Sequence, residues 1–158
     1  MVDGMNSLSV SKGFDTSYPY TVQEGAAYLE KVKEKRNKKS IYYAVVLKET
    51  KEVVGGGGIY FKYDRYSVGI WLRDDKQKMG FGKEILSGAI EYAFDVMNVE
   101  ILYGFYYEWN TGSKKLSDYF GFELVENDLP KYILNDEEVK KCVRLDRSKY
   151  KRLQPNAI

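Results

Sequence analysis

The chain has 158 residues, 44% of them hydrophobic, with 25 Lys+Arg against 23 Asp+Glu for a formal net charge of +2. That length and apolar content fit one domain over residues 1–158 with its own core, and the charge balance gives no ground for expecting nucleic acid. Histidine is absent and Cys142 is the only cysteine, which excludes Ser-His-Asp and Cys-His catalysis, histidine-bearing metal sites and an internal disulfide. No metal is expected. A lone cysteine fits a reducing compartment. With no apolar run of membrane-spanning length and no basic-then-apolar leader, the expectation is a cytoplasmic protein without a membrane partner. Fifteen tyrosines point to sheet faces that are half buried, with polar tips reaching water or a cleft.

In chain order, residues 1–17 show no clear period and read as an irregular lead-in. Thr21 followed by Glu24 is a capping-box pattern that opens a helix through about Lys35, with a modest apolar face at Val22, Ala26, Leu29 and Val32 or Lys33. The lysine-rich run at its end, residues 31–39, reads as a solvated helix terminus. Residues 41–48 and 53–61 are β-branched and aromatic and form a hairpin about Glu49-Thr50-Lys51-Glu52. Its second strand holds four consecutive glycines, 55–58. No helix pattern and no Lys-Ser or Lys-Thr follows them, so they read as a bulged strand that leaves room for another backbone or a ligand, not as a phosphate loop.

Residues 62–67 read as a turn into a third strand, 68–72. A charged loop then leads through Gln-Lys-Met-Gly-Phe-Gly, residues 77–82, into a helix whose apolar stripe is Phe81, Ile85, Leu86, Ala89, Ile90, Ala93, Phe94 and Met97. Gly80 and Gly82 stand at the strand-to-helix junction, where backbone N–H groups without a Cβ beside them can approach an anion at the positive end of a helix dipole. That arrangement suits a pyrophosphate, with Lys78 and Lys83 as phosphate partners by charge. A strand at 101–107 follows. Ser113 then caps a short helix carrying Leu116, Tyr119 and Phe120, with Gly121 as its stop. Strands at 122–125 and 139–145, separated by a loop containing Pro130, close the fold before a basic tail.

Two blocks in register narrow this reading. IWLRDDKQKMGFGKEIL, residues 70–86, and NTGSKKLSDYFGF, residues 110–122, resemble the pyrophosphate motif and the Asn-x-x-Ser…Gly-Phe block of the GNAT acetyltransferase superfamily, in particular its branch related to ribosomal-protein N-terminal acetyltransferases. The resemblance covers roughly residues 18–145. It implies an α/β fold with a mixed, mostly antiparallel sheet flanked by helices, and an enzyme that moves an acetyl group from acetyl-CoA to a primary amine, on a protein N-terminus or a small molecule, by direct attack. It places the cofactor between the strands at 68–72 and 101–107, which splay apart in the family. The backbone of Trp71, Leu72 and Arg73 would hold the pantetheine, Gln77, Lys78, Met79, Gly80, Phe81 and Gly82 would wrap the pyrophosphate with Lys83 beside them, and Asn110 would hydrogen-bond the pantetheine.

The same resemblance assigns protonation of the leaving thiolate to Ser113, while many family members use a tyrosine at the place of Ser117; Tyr119 is the nearest tyrosine. Many also carry a glutamate where this chain has Val68, which leaves Glu108 and Asp64 as candidate bases. An α-amine with pKa ~7.7–8.0 is neutral in roughly one molecule in ten at pH 7, against about one in a few thousand for a lysine at ~10.4, so an N-terminal amine needs far less help from a base. Relatives have a further strand and helix before the segment at residue 18, so the front end looks shortened, and a homodimer or an open acceptor cleft is expected. The alternative function is an acyl-CoA-binding module with weakened catalysis.

Overall fold

The computed structural model describes residues 2–14, 16–35, 39–126 and 140–150. Its strands are β1 Ile41–Val46, β2 Val53–Lys62, β3 Arg65–Leu72, β4 Ile101–Tyr107, β5 Glu123–Leu124 and β6 Lys140–Asp146. They form one sheet in the order β1-β2-β3-β4-β6-β5. Only the β3–β4 pair is parallel, so the sheet is mixed and mostly antiparallel, as expected. The helices are α1 Val2–Met5, α2 Leu8–Gly13, α3 Val22–Lys35, α4 Phe81–Glu91 and α5 Thr111–Phe120. The predicted loop around Pro130, Val139 and the basic tail from residue 151 lie outside the described residues.

The main core forms where α4 lays its stripe on the sheet: Leu86, Ala89, Ile90, Ala93 and Phe94 pack with Ile59, Val68, Leu102, Val143 and Leu145. Residues three and four apart share a helix face, so the spacing read from the sequence is the face that is buried. The α-helix stops at Glu91, however, and its predicted last turn widens into a π-helical turn at Tyr92–Val96. Beside this core the Cys142 thiol is buried and pushed up to about 11 by desolvation, which disfavours its thiolate.

The glycine-rich strand is bulged as predicted. Val45 pairs with Gly55 while Val46 pairs with Val53, leaving Val54 as the extra residue. The space beside the glycines is already filled from within the chain. A Cβ at Gly57 would lie 2.3 Å from the Gly69 carbonyl oxygen, and one at Gly56 would lie 2.8 Å from Nε1 of Trp71. The turn into β3 is also tighter than expected. Tyr63 and Asp64 adopt φ of 52° and 56°, the left-handed pair of a two-residue hairpin, so β3 begins at Arg65 and the predicted six-residue turn contracts to two.

The capping box is present. Thr21 N donates to Glu24 Oε2 at 2.7 Å and Glu24 N donates to Thr21 Oγ1 at 3.2 Å. Thr21→Ala should therefore lower stability by about 1 kcal/mol, measurable as a shift of the urea midpoint. Hydrogen bonds from Ser17 and from Thr21 hold the Glu24 carboxyl below its usual range. A depressed folded value means that this stabilisation is complete above the ordinary carboxylate range of about 4 and is lost as pH falls through the lowered value. The Thr21→Ala deficit should accordingly shrink in acid.

The predicted apolar face of α3 is mostly uncovered. Val22, Ala26 and Leu29 are exposed, while Gly25 is buried and Tyr28 lies in electrostatic reach of Tyr42 and Tyr60, all three hydroxyls being raised mainly by desolvation. The buried position is therefore the glycine three residues from Val22 and four from Leu29, while the apolar side chains around it stay exposed.

The lead-in is the largest correction. Residues 1–17 were expected to be irregular, yet they contain α1 and α2. Ser7 caps α2, accepting from Val10 N at 3.2 Å. Met5 and Val10 join Tyr20, Val2 and Trp71 in a second apolar cluster. The two helices are too short to show a period, and their burial is supplied by residues distant in sequence.

Candidate active site

β3 and β4 share only three rungs: Tyr66 with Leu102, Ser67 with Tyr103 and Val68 with Gly104. Beyond them β3 stays paired to β2 as far as Leu72, and β4 stays paired to β6 as far as Tyr107. The two strands therefore part from Gly69 and Phe105 onward, and a wedge opens toward their C-terminal ends. Successive residues of a strand aim their N–H and C=O groups to opposite sides. Arg73 N donates to Val54 O at 2.9 Å on the β2 side, so Trp71 and Gly69 also turn toward β2, and Ile70 and Leu72 face the wedge.

Of the three residues expected to hold the pantetheine, Leu72 thus turns its backbone N–H to the wedge, and Trp71 and Arg73 turn theirs toward β2. The Arg73 guanidinium is also engaged: it donates to Asp75 at 2.9 and 2.7 Å and to Glu52, and these hydrogen bonds hold the Asp75 carboxyl below its usual range. The Trp71 ring lies against α1, where a Cβ at Gly4 would be 2.6 Å from Cζ3. Ile70, which the sequence reading passed over, is identified by alternation once the pairing with β2 is known.

The loop after β3 is pinned at both ends. Gln77 Nε2 donates to Leu72 O at 3.0 Å and to Asp74 Oδ1 at 2.9 Å, and Ser9 Oγ of α2 donates to the same Asp74 oxygen at 2.7 Å. Lys78 has φ 60° and Gly80 φ 92°. These left-handed steps turn the chain into α4, with Met79 exposed between them. Gly80 O accepts from Lys83 N at 2.9 Å and Glu84 N at 3.3 Å. The N–H groups of Phe81 and Gly82 precede the first intrahelical bond and are the donors the helix leaves over. A Cβ at Gly80 would meet nothing within 4 Å, so open space adjoins those donors, in a cradle that an anion fits. Gly82 has a different role: its Cβ would stand 3.4 Å from Leu116, where α4 meets α5.

On the other wall, Asn110 rather than Ser113 is the N-cap of α5. Its Oδ1 accepts from Ser113 N at 3.0 Å. Ser113 is half buried in the first turn, and Asn110 keeps its Nδ2 for donation. Glu108 is exposed and 3.4 Å from Lys141. Trp109 stacks on Tyr107 at 5.5 Å, with Lys12 of α2 5.1 Å from its ring. α1 and α2 thus touch Trp71, Arg73 and Asp74 on one side of the wedge and Trp109 on the other, and span its mouth. A Ser-capped segment of hydrophobic and small residues, 7–13, was the available signal for this wall.

Asp64 sits on the turn before β3, eight residues and roughly 25 Å from Leu72 along the strand. Val68 is in the main core, and Ser117 is buried in α5. Tyr119, the tyrosine nearest the position where many relatives carry their acid, is partly exposed. Its ring lies edge-on to Phe120 and beneath the Lys83 ammonium, 3.7 Å from the ring centroid.

The sheet is parted between two parallel strands, and a glycine-turned helix start stands at the opening. Residues 5–123 match the model of the acetyltransferase (GNAT) domain, and the chain belongs to that family. Among solved structures, a GNAT-family acetyltransferase from Bacillus anthracis superposes with TM-score 0.75 at 15% identity, over 94% of this chain and 88% of that one. Spermidine N-acetyltransferase from Vibrio cholerae, in complex with CoA and spermine, gives 0.71 at 18% identity over 94% and 89%. The Campylobacter jejuni N-acetyltransferase PseH, in complex with acetyl coenzyme A, gives 0.60 at 17% identity over 79% of each chain. At these identities the likeness is one of fold. No curated protein sequence matches the chain. Among the described residues no helix is long and apolar enough to cross a membrane.

Proposed function

We propose that the protein is an N-acetyltransferase that transfers an acetyl group from acetyl-CoA to a primary amine by direct attack, with the thioester seated in the β3–β4 wedge. The observation that carries this reading is the three-rung pairing of β3 with β4, which leaves the Ile70 and Leu72 backbone facing an opening that ends at the cradle above Gly80. An extended pantetheine arm would pair with that edge as an added strand, and the Phe81 and Gly82 N–H groups, with Lys78 and Lys83, would meet the diphosphate. Asn110 Nδ2 would donate to the arm from the opposite wall.

The reaction needs a neutral amine, stabilisation of the carbonyl oxyanion and a proton for the departing thiolate. Ser113, held at the start of α5 through its N–H bond to Asn110, is assigned as the donor to that sulfur. Glu108 is the carboxylate nearest the wedge end of β4, but it is exposed and beside Lys141. This arrangement favours an acceptor whose amine needs little deprotonation, such as a protein N-terminus, over a lysine or polyamine.

Ser113→Ala should reduce kcat about tenfold or more while leaving acetyl-CoA affinity within about twofold; unchanged turnover would remove the assignment. The reading as a whole is tested by acetyl-CoA-dependent thermal stabilisation followed by release of free CoA thiol with N-terminal peptides, polyamines and small amines. Val68 in the core and Ser117 buried favour one second reading, a coenzyme-binding module with weakened catalysis, and acetyl-CoA binding without thiol release from any amine would select it.

A further inference from the structure

Lys83 stands in the first turn of α4, where the helix dipole opposes a positive charge. It is half buried, and among the described residues no carboxylate lies within ion-pair distance of it. Its ammonium is 3.7 Å from the centroid of the Tyr119 ring. The ring belongs to α5, which meets α4 at Gly82 and Leu116. A lysine required only for solubility would extend into water, and one required only for helix stability would sit at the other end. The aromatic face instead holds the ammonium of the residue that directly follows the Phe81 and Gly82 N–H groups in the first turn of α4.

We infer that Tyr119 is a positioning residue for the coenzyme diphosphate: its ring acts as the seat that holds Lys83 at the phosphate cradle, and its hydroxyl is not the acid of the reaction. This deepens the acetyl-CoA reading and rests on it. The π-face of an aromatic ring supplies the attraction, so phenylalanine can replace tyrosine and an aliphatic residue cannot. The positive charge acts on phosphate and not on the thioester, so its loss appears in coenzyme affinity and not in the chemical step.

The test is isothermal titration of acetyl-CoA against the wild-type protein, Tyr119→Phe, Tyr119→Leu, Lys83→Met and the double variant Lys83→Met/Tyr119→Leu, with acetyl-pantetheine turnover as the phosphate-free control. Tyr119 is partly exposed, and thermal unfolding of each variant is the check that it is folded. Tyr119→Phe should bind acetyl-CoA within about twofold of wild type, and Tyr119→Leu should bind about fivefold more weakly. The double variant should be no weaker than Lys83→Met alone, because the seat has no function without the lysine. Acetyl-pantetheine kcat/KM should be the same for wild type and Tyr119→Leu.

Unchanged affinity in folded Tyr119→Leu overturns the seat. Lost turnover with normal affinity in Tyr119→Phe overturns it in favour of a proton-donating hydroxyl. Absence of acetyl-CoA binding by the wild-type protein would instead overturn the reading on which the inference rests.

Discussion

Gly57→Ala is expected to cost about 3 kcal/mol of stability, a large share of the ~5–15 kcal/mol typical of a domain. The added methyl would sit 2.3 Å from the Gly69 carbonyl oxygen and 2.7 Å from the Tyr43 hydroxyl. The first of these is backbone in the middle of the β2–β3 ladder, where Gly57 pairs with Ile70, and it cannot retreat without breaking rungs. The second is hemmed in as well. The Tyr43 hydroxyl is buried with no hydrogen-bond partner among the described residues, and its pKa is pushed up to about 12 by desolvation. Because Ile70 also faces the wedge, the damage should extend to coenzyme binding. Gly88→Ala is the control. It lies in α4, is exposed, and its Cβ would meet nothing within 4 Å, so it should stabilise by roughly 0.5–1 kcal/mol. Urea denaturation of the two variants should move in opposite directions, and equal midpoints would refute the packing account of the glycine strand.

Gly80→Ala should weaken acetyl-CoA binding at least about tenfold, equivalent to ~1.4 kcal/mol. Two effects combine. At φ 92° an L-residue is strained by on the order of 1–2 kcal/mol, and the methyl enters the open space beside the Phe81 and Gly82 donors. Gly80→Asn separates them, since asparagine tolerates positive φ better than alanine. It should recover part of the stability while affinity stays low. Titration calorimetry with thermal unfolding of both variants provides the check, and wild-type affinity in either would mean that no phosphate lies over Gly80.

Local chemistry was the legible part of the chain. The Thr21–Glu24 box, the bulged glycine strand, the helix stripe from Leu86 to Phe94 and the Gly121 stop each depend on residues within a few positions of one another, and each was read correctly. The two motif blocks likewise gave the family, because their glycines and polar residues fix a loop and a helix start without reference to the rest of the fold.

What went unread depended on distant partners. The capping oxygen for α5 was placed on Ser113, but Asn110 supplies it: either residue type can cap, and the path of β4 decides which one stands at the half-turned position. α3 carries a stripe that patterning assigns to the core, yet Val22, Ala26 and Leu29 are exposed and the glycine between them is what is buried. Tyr119 could be a core ring or an acid by sequence, and only the approach of α5 to α4 sets it under Lys83.

By itself, then, the sequence determined the glycine-turned start of α4, through short motifs whose geometry is local, and the family and mixed sheet, through the resemblance those motifs carry. Tertiary structure decided the rest. The pairing of β3 with β2 selects Ile70 and Leu72, not Trp71 and Arg73, as the backbone facing the wedge. The N-terminal helices, too short to have a readable period, become a wall only because Trp71, Asp74 and Trp109 converge on them. The physical reason is the same in both cases: a strand's free edge and a short helix's buried face are defined by neighbours far away in the chain.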